Sequence, residues 1–579
     1  MNGSSRVSAF PLPTAEESAP QGVRVVAGLR PAKIVGSPIS APPTVDQLRA
    51  TLSSFFPKNS TTAEKNLAIE TALNSPAGES MRDAMARWIV DSVVPVSRLV
   101  PQAYDKWRPP VRDAMIFVVA HLSPARLAPK LVEQLDLPPN TPAEARLLRL
   151  IAKVPGLQKL GQVIARNQHL RPALRNALAR LENGIRDVRP EDVNAIIVRE
   201  LGPRLEKYSV KISSAILSEA SVSAVVRFTW LDPDTGRRER GVFKVLKPHI
   251  PEYFAEDMAY LQGLAQYFSK QHRNYGFPSD LLPDTFRKVQ RLLRHEVNFR
   301  REQKTLVEAA NLYRSMKGVR VPRLIRPLCT ARITALSEER GIKVTNAAAR
   351  LPLARRRKVA EQLIEALVAV PLLASQPDAI FHGDPHAGNL LYNNRTSELT
   401  IIDWALRERL SREQRRHLAL LFLTVTFRDP VGACNEVLAL SQQRIRSASP
   451  RGRMISDLVT EFVDQLPVRL SGAVDAMRLL ERLAMKNVKF PGPLIMLSKV
   501  MFTLDGIMND IGAPDTGIAF GLTIARHVAQ HWLWNLKEFR SPLQKKDWMT
   551  LQGSALLYGT RLWIKGEQSV LDRILQPSN

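Results

Sequence analysis

His382-Gly383-Asp384, with Asn389 five residues beyond the aspartate, has the H-x-D-x-x-x-x-N spacing of a kinase catalytic loop. In that chemistry the aspartate orients or deprotonates an acceptor hydroxyl, and the asparagine helps to hold Mg2+. Asp403 closes the β-branched run Leu399-Thr400-Ile401-Ile402, fourteen residues after Asn389, where a second metal-binding aspartate belongs. Asn389 and Asp403 supply the oxygen ligands that a hard cation takes. Either fragment alone reads as a polar turn; joined at this spacing they read as an ATP site.

Such a site needs a cation on the phosphates and an acid to position it. Lys244 in Gly-Val-Phe-Lys-Val-Leu-Lys-Pro stands on a strand-like run as the V-A-I-K lysine does. Lys247, just before Pro248, is expected to be solvated at the strand end. The next helical segment, 279 to 312, offers Glu296 and Glu302, and Glu302 falls where the positioning acid is needed. A metallohydrolase centre built from His382, Asp384 and His386 is the competing chemistry. It ranks behind, because the chain has only 10 His and HEVNF at 295–299 places Phe299 where a zincin has its second histidine.

The elements around these residues predict an α+β, two-lobed, protein-kinase-like fold with a helical N-terminal extension over the active site. Residues 1–45, rich in Pro, Ser and Ala, read as a disordered tail. Residues 46–145 form a helical extension and 146–215 a further helical segment, on apolar three- and four-residue spacing. Residues 216–340 form the smaller lobe: a strand-like run ILSEASVSAVVRFTW, a turn at DPDTG, the Lys244 strand, the helix 279–312 and further strands in VRVPRLIRPLCTARITALS. Residues 341–540 form a helical larger lobe, broken by the short strands LLYN and LTIID. Residues 541–579 form basic, aromatic helices. HLALLFLTVTF, residues 417–427, is too short to span a bilayer and reads as a buried helix.

Composition bounds the partners. The 579 residues carry 82 Lys+Arg against 55 Asp+Glu, a net charge of +27, which biases the surface toward anions such as nucleotides and lipid headgroups. No nucleic-acid module accompanies that charge, so no nucleic-acid partner is expected. Two cysteines, Cys329 and Cys434, are too few for a disulfide framework; with no secretory signal at the start, a reducing, cytoplasmic location is expected. Trp532, Trp534, Trp548, Tyr558 and Trp563, set among Lys and Arg, suit either peripheral contact with the inner face of a membrane or packing against the larger lobe.

No G-x-G-x-x-G or Walker A sequence is present; Ser218-Glu219-Ala220-Ser221 stands where a kinase has its glycine loop. Together these segments resemble the UbiB (AarF-like) atypical kinase family. Its KxGQ helix matches Lys159-Leu160-Gly161-Gln162, its alanine-rich nucleotide loop Ser218 to Ser221, and its ExD motif Glu296-Val297-Asn298. Its HxDPHxGN and DFG segments match residues 382–389 and Asp403-Trp404-Ala405. The resemblance implies Mg2+ and ATP as cofactors, with Ser218, Ala220, Ser221, Lys244, Asn389 and Asp403 around the nucleotide. It also implies that Lys159 and Gln162 look into the site and bar protein substrates. The activity implied is ATP hydrolysis or phosphotransfer to a small molecule or lipid, serving isoprenoid-quinone (ubiquinone) biosynthesis or membrane lipid homeostasis, with a quinone precursor and quinone-biosynthesis proteins as partners. A nucleotide-binding pseudokinase scaffold without turnover is the alternative. The sequence departs from the pattern at Asn298, Glu219 and Trp404-Ala405.

Overall fold

The computed structural model describes residues 60–159 and 188–513, except 77, 101, 139, 278, 375 and 467–471, together with 542 and 547. Gln162, the expected tail 1–45 and the tryptophan-rich C-terminal helices lie outside the described residues, Asp547 apart. The chain divides into two compact units, one of Met1–Leu150 with Met258–Arg287, the other of Ile151–Asp257 with Lys288–Asn579.

The described residues of the first unit are helical. Thr61 opens α1 (Thr62–Leu73) with a capping box in which its side chain accepts from the Glu64 amide and the Glu64 carboxylate accepts in return. α2 (Gly78–Trp88), α3 (Arg108–His121), α4 (Pro124–Asp136) and α5 (Ala143–Ile151) follow. Trp88, Val119, Leu122, Leu127 and Leu131 are buried among them, and Arg112 binds Asp91 through two nitrogens at 2.7 Å each.

The second unit carries the catalytic-loop residues. After α6 (Pro190–Leu201) the chain forms β1 (Lys211–Glu219), β2 (Ser223–Leu231) and β3 (Arg238–Leu246). The strand-like run 216–230 is two strands folded back at Ala220-Ser221-Val222, overlapping the loop expected at Ser218 to Ser221, the Ala220 amide donating to the Ser223 carbonyl at 2.8 Å. The DPDTG segment turns as expected, with Gly236 at φ 62° supplying the left-handed step. α7 (His249–Tyr275) leads to a helical stretch expected to be continuous over 279–312. Asn298 breaks it into α8 (Leu281–Val297) and α9 (Phe299–Leu312), its side-chain oxygen accepting from the Arg301 amide at 2.9 Å.

β4 (Val319–Arg320) and β5 (Ile333–Ser337) then part company. β5 completes an antiparallel sheet in the order β1-β2-β3-β5, whereas β4 runs parallel to a strand of the larger lobe, Val319 opposite Leu399. Phe228 stacks on Phe243 at 3.8 Å beneath α6, in a core with Val193, Ile197, Trp230 and Ala335. In the larger lobe β6 (Ile342–Lys343) precedes α10 (Leu353–Ile364), β7 (Asp378–His382), β8 (Leu390–Asn393), β9 (Glu398–Ile401) and β10 (Arg407–Ser411). β8 and β9 are the two strands expected from LLYN and LTIID; β7 and β10, which pair with each other, were not visible in the pattern. Helices α11 (Arg412–Thr426), α12 (Pro430–Leu440), α13 (Pro450–Asp464), α14 (Ala473–Met485) and α15 (Gly492–Asp510) complete it around one apolar core. The run 417–427 is mostly buried within and just after α11, and among the described residues no single helix is long and apolar enough to cross a membrane.

Candidate active site

Strand register places the lysine that lines the cleft. On β3, Lys244 lies opposite Val225 of β2 and Thr334 of β5, and its ammonium is 2.7 Å from Glu302 and 3.0 Å from Asp403. Asn298 fixes where α9 begins, and so brings Glu302, in its first turn, under that strand. Burial by itself would depress the Lys244 ammonium, but Asp403 and Glu302 outweigh it and hold the group above its ordinary value. The same burial pushes the Glu302 carboxyl up against the opposing pull of Lys244; at Asp403 desolvation is overcome by Lys244, and the carboxyl sits below the usual range. The charged forms are therefore Lys244+ and Asp403−.

The catalytic loop leaves β7 at His382, which pairs with Arg407 of β10. The His382 ring is buried, edge-on to Trp404 at 4.9 Å. Its Nε2 donates to the Ile402 carbonyl at 3.0 Å and its Nδ1 accepts from the Asp384 amide at 3.2 Å, and burial keeps it neutral by lowering its pKa. With both ring nitrogens engaged, His382 acts as a brace between the two catalytic segments and not as a metal ligand. Among the described residues no group of three His, Cys, Asp or Glu is placed to hold a metal. The Asn389 side-chain amide donates to the Asp384 carbonyl at 3.0 Å, and the Ile402 amide donates to the Asn389 carbonyl at 2.9 Å. Asp384, Asn389 and Asp403 are thereby held on one cleft by backbone as well as side-chain bonds. Asp403 carries a left-handed backbone, φ 58°, immediately before Trp404, whose indole is fully buried and donates to the Ile401 carbonyl at 3.1 Å.

The cleft is lined by Lys159, Ala220, Ser221, Lys244, Glu296, Asp384, Asn389 and Asp403, joined by Val222, Ser223, His386, Ala405 and Leu406. Ser218 is not among them: it is exposed on β1 opposite Val225, because the fold-back comes after it, at 220–222. Glu219 turns away from the phosphate side and pairs with Lys247 at 3.1 Å, both side chains almost fully buried. Lys247 is thus a buried ion-pair partner and not the solvated residue that its place before Pro248 suggested; Glu219 supplies the charge that makes its burial possible.

Lys159 forms an ion pair with Glu296, which also accepts from the Ser221 hydroxyl at 3.3 Å. The first acid of the E-x-D position therefore binds the KxGQ lysine to the nucleotide loop, while Asn298 serves as a helix cap.

One residue that the sequence did not single out reaches the centre. Lys499, on α15, places its ammonium 2.9 Å from Asp384. Its signal was a lone cation in the apolar run Leu494-Ile-Met-Leu-Ser-Lys499-Val-Met-Phe-Thr-Leu504. The oxygen atoms of Asp403 and of Asn389, whose amide nitrogen is already engaged, form a donor pair suited to Mg2+, with Lys244 to meet phosphate charge.

Residues 180–436 match the model of the ABC1 atypical kinase-like domain. An uncharacterised protein of Synechocystis is 25% identical over 62% of this chain and 60% of its own length. A probable protein kinase UbiB of Glaesserella parasuis is 26% identical over 50% of this chain and 53% of its own. The chloroplastic protein ACTIVITY OF BC1 COMPLEX KINASE 7 of Arabidopsis thaliana is 24% identical over 61% of this chain and 50% of its own. The match spans between half and two thirds of these relatives.

Proposed function

We propose, from the premise that this chain contains an ABC1 atypical kinase-like domain over residues 180–436, that it binds Mg·ATP in the Lys244–Asp403 cleft and turns it over. The γ-phosphoryl passes to water or to a small, lipidic acceptor, in support of isoprenoid-quinone or membrane lipid metabolism. The observation that carries the reading is Lys244 held between Glu302 and Asp403, across one cleft from Asp384 and Asn389. This is the arrangement that phosphoryl transfer needs, since its catalysis is almost entirely positioning and charge stabilisation. Asn389 and Asp403 would hold Mg2+, which would neutralise charge on the phosphates. Lys244 orients the phosphate chain, and Asp384 accepts the proton of the attacking hydroxyl. Lys159, fixed by Glu296 at the nucleotide loop, narrows the cleft toward small acceptors.

Thermal shift with Mg·ATP and phosphate release from wild type and Asp403→Asn test this directly. Stabilisation by nucleotide with release that falls by about 100-fold or more in the variant is expected, given the size of single charge-stabilising contributions. The absence of any stabilisation sinks the reading. A pseudokinase scaffold is the second reading, favoured by the Lys499 ion pair that occupies Asp384. It predicts nucleotide stabilisation with no Asp403-dependent phosphate release.

A further inference from the structure

A second concavity opens between α14 and α15. It has a volume of about 630 Å3 and shares Asp384 and His386 with the cleft. Leu480 and Ala484 line it from α14; Leu494, Ile495, Ser498, Lys499, Phe502 and Thr503 line it from α15. Residues 494, 498 and 502, and likewise 495, 499 and 503, recur at four-residue spacing, so that one face of α15 is presented along the groove. Phe490 adds to the apolar wall and Glu481 stands on the rim. Ile495 is 54% exposed, a large apolar side chain left toward water at a site whose inner end is charged.

Resting on the reading of the cleft as an ATP site, we propose that this groove is the acceptor site, and that it takes a small amphiphile with a hydrocarbon tail and a hydroxyl head. The tail lies along Leu480, Phe490, Leu494, Ile495 and Phe502; the hydroxyl lies at Asp384 beside Lys499. The walls favour a hydrocarbon over a peptide. Both are helices whose backbone amides are bonded internally, so an extended peptide would bury its own N–H and C=O groups without partners, whereas an alkyl or prenyl tail carries none. The charged end gives direction, because Asp384 and Lys499 sit where the groove meets the cleft. In the transfer step the hydroxyl oxygen bonds to the γ-phosphorus and the bond from that phosphorus to the β,γ-bridging oxygen breaks. ADP leaves with the electron pair, and the hydroxyl proton goes to the Asp384 carboxylate.

Photolabelling of the full chain with diazirine-bearing dodecanol, with and without Mg·ATP and mapped by mass spectrometry, tests the assignment. Labelling within Leu480–Thr503, displaced by excess dodecanol, is expected. Ile495→Glu should cut it at least about tenfold, since a carboxylate would then have to be desolvated against the tail. Val431→Glu adds the same charge at a 71% exposed residue on α12 and should leave labelling intact; it also controls for a general effect of added charge. Parallel incubation with ATP labelled in its γ-phosphate should yield a solvent-extractable dodecyl phosphate. Labelling confined elsewhere, including on residues after 513, or labelling in the groove that Ile495→Glu does not change, overturns the proposal. If Mg·ATP stabilises the protein and the groove is not labelled, the acceptor assignment alone fails. Labelled groove without nucleotide stabilisation overturns the ATP reading and keeps the groove as a binding site.

Discussion

Lys244 and Glu302 form the most consequential pair in the molecule, because Glu302 is 2% exposed and one of its oxygens, Oε2, has no hydrogen-bond partner. Lys244→Met would leave that buried carboxyl group without its cation. Unfolding in urea should show a loss of about 3–5 kcal/mol, the cost of breaking a buried pair from one side. Glu302→Gln keeps the shape and should cost less in stability while lowering phosphate release, because Lys244 loses its anchor. His295 sets a separate acid sensitivity. Burial, with Arg301, Arg291 and Arg407 around it, lowers its pKa from 6.5 to about 4. Between those values the unfolded chain binds a proton that the folded chain does not, so this group's contribution makes stability fall as pH drops from about 6.5 toward 4 and level off below. Thermal melts across that range should show a shallower pH dependence in His295→Phe than in wild type. Most of the residues gathered at the cleft were legible in sequence, because a chemical role needs particular side chains at particular spacings. Lys499 was not, because its partner lies 115 positions away and only the packing of α15 brings the two together.

At the scale of the element, the sheet under the nucleotide loop depends on a close approach at Gly241. A Cβ there would stand 2.4 Å from the Phe228 ring and 2.9 Å from the Leu336 carbonyl. Gly241→Ala should therefore cost about 1–3 kcal/mol in urea unfolding, as overpacking does, and should lower nucleotide affinity because β3 also carries Lys244. The hairpin at DPDTG and the strands β8 and β9 could be read from turn chemistry and β-branched runs. The loop expected at Ser218 to Ser221 falls slightly later, at Ala220-Ser221-Val222, since the segment lacks glycine, proline and asparagine and its exact position is set by pairing with neighbouring strands. Asn298 misled in the same way. A helix-compatible residue in a helical pattern became a cap because its side chain found the Arg301 amide.

For the molecule as a whole, +27 is a long-range property that no single contact expresses. Contact with a membrane surface is part of the proposed lipid role, and charge gives it a clear signature. Co-sedimentation with vesicles containing phosphatidylglycerol should exceed that with phosphatidylcholine alone at low salt. It should weaken strongly as ionic strength rises, because the screening length shrinks from about 10 Å at 0.1 M to about 3 Å at 1 M. Equal binding to both vesicle types, or binding indifferent to salt, would remove the electrostatic part of that role.

The sequence by itself determined that the larger unit has a kinase-like core, because HGDPHAGN and IID fix three oxygen-bearing side chains at intervals that only a few folds use. It also fixed Lys244 as the cation and Glu302 as its acid, from strand and helix context alone. What only the tertiary structure decided are the pairings across distance: Glu219 on Lys247, Glu296 on Lys159, Lys499 on Asp384, and the apolar groove between α14 and α15. Local pattern reports which residue types a segment holds and which face they share. Whether a charge is solvated, neutralised or placed on a catalytic carboxylate depends on which segment packs opposite, and that is settled by burial of apolar surface far along the chain.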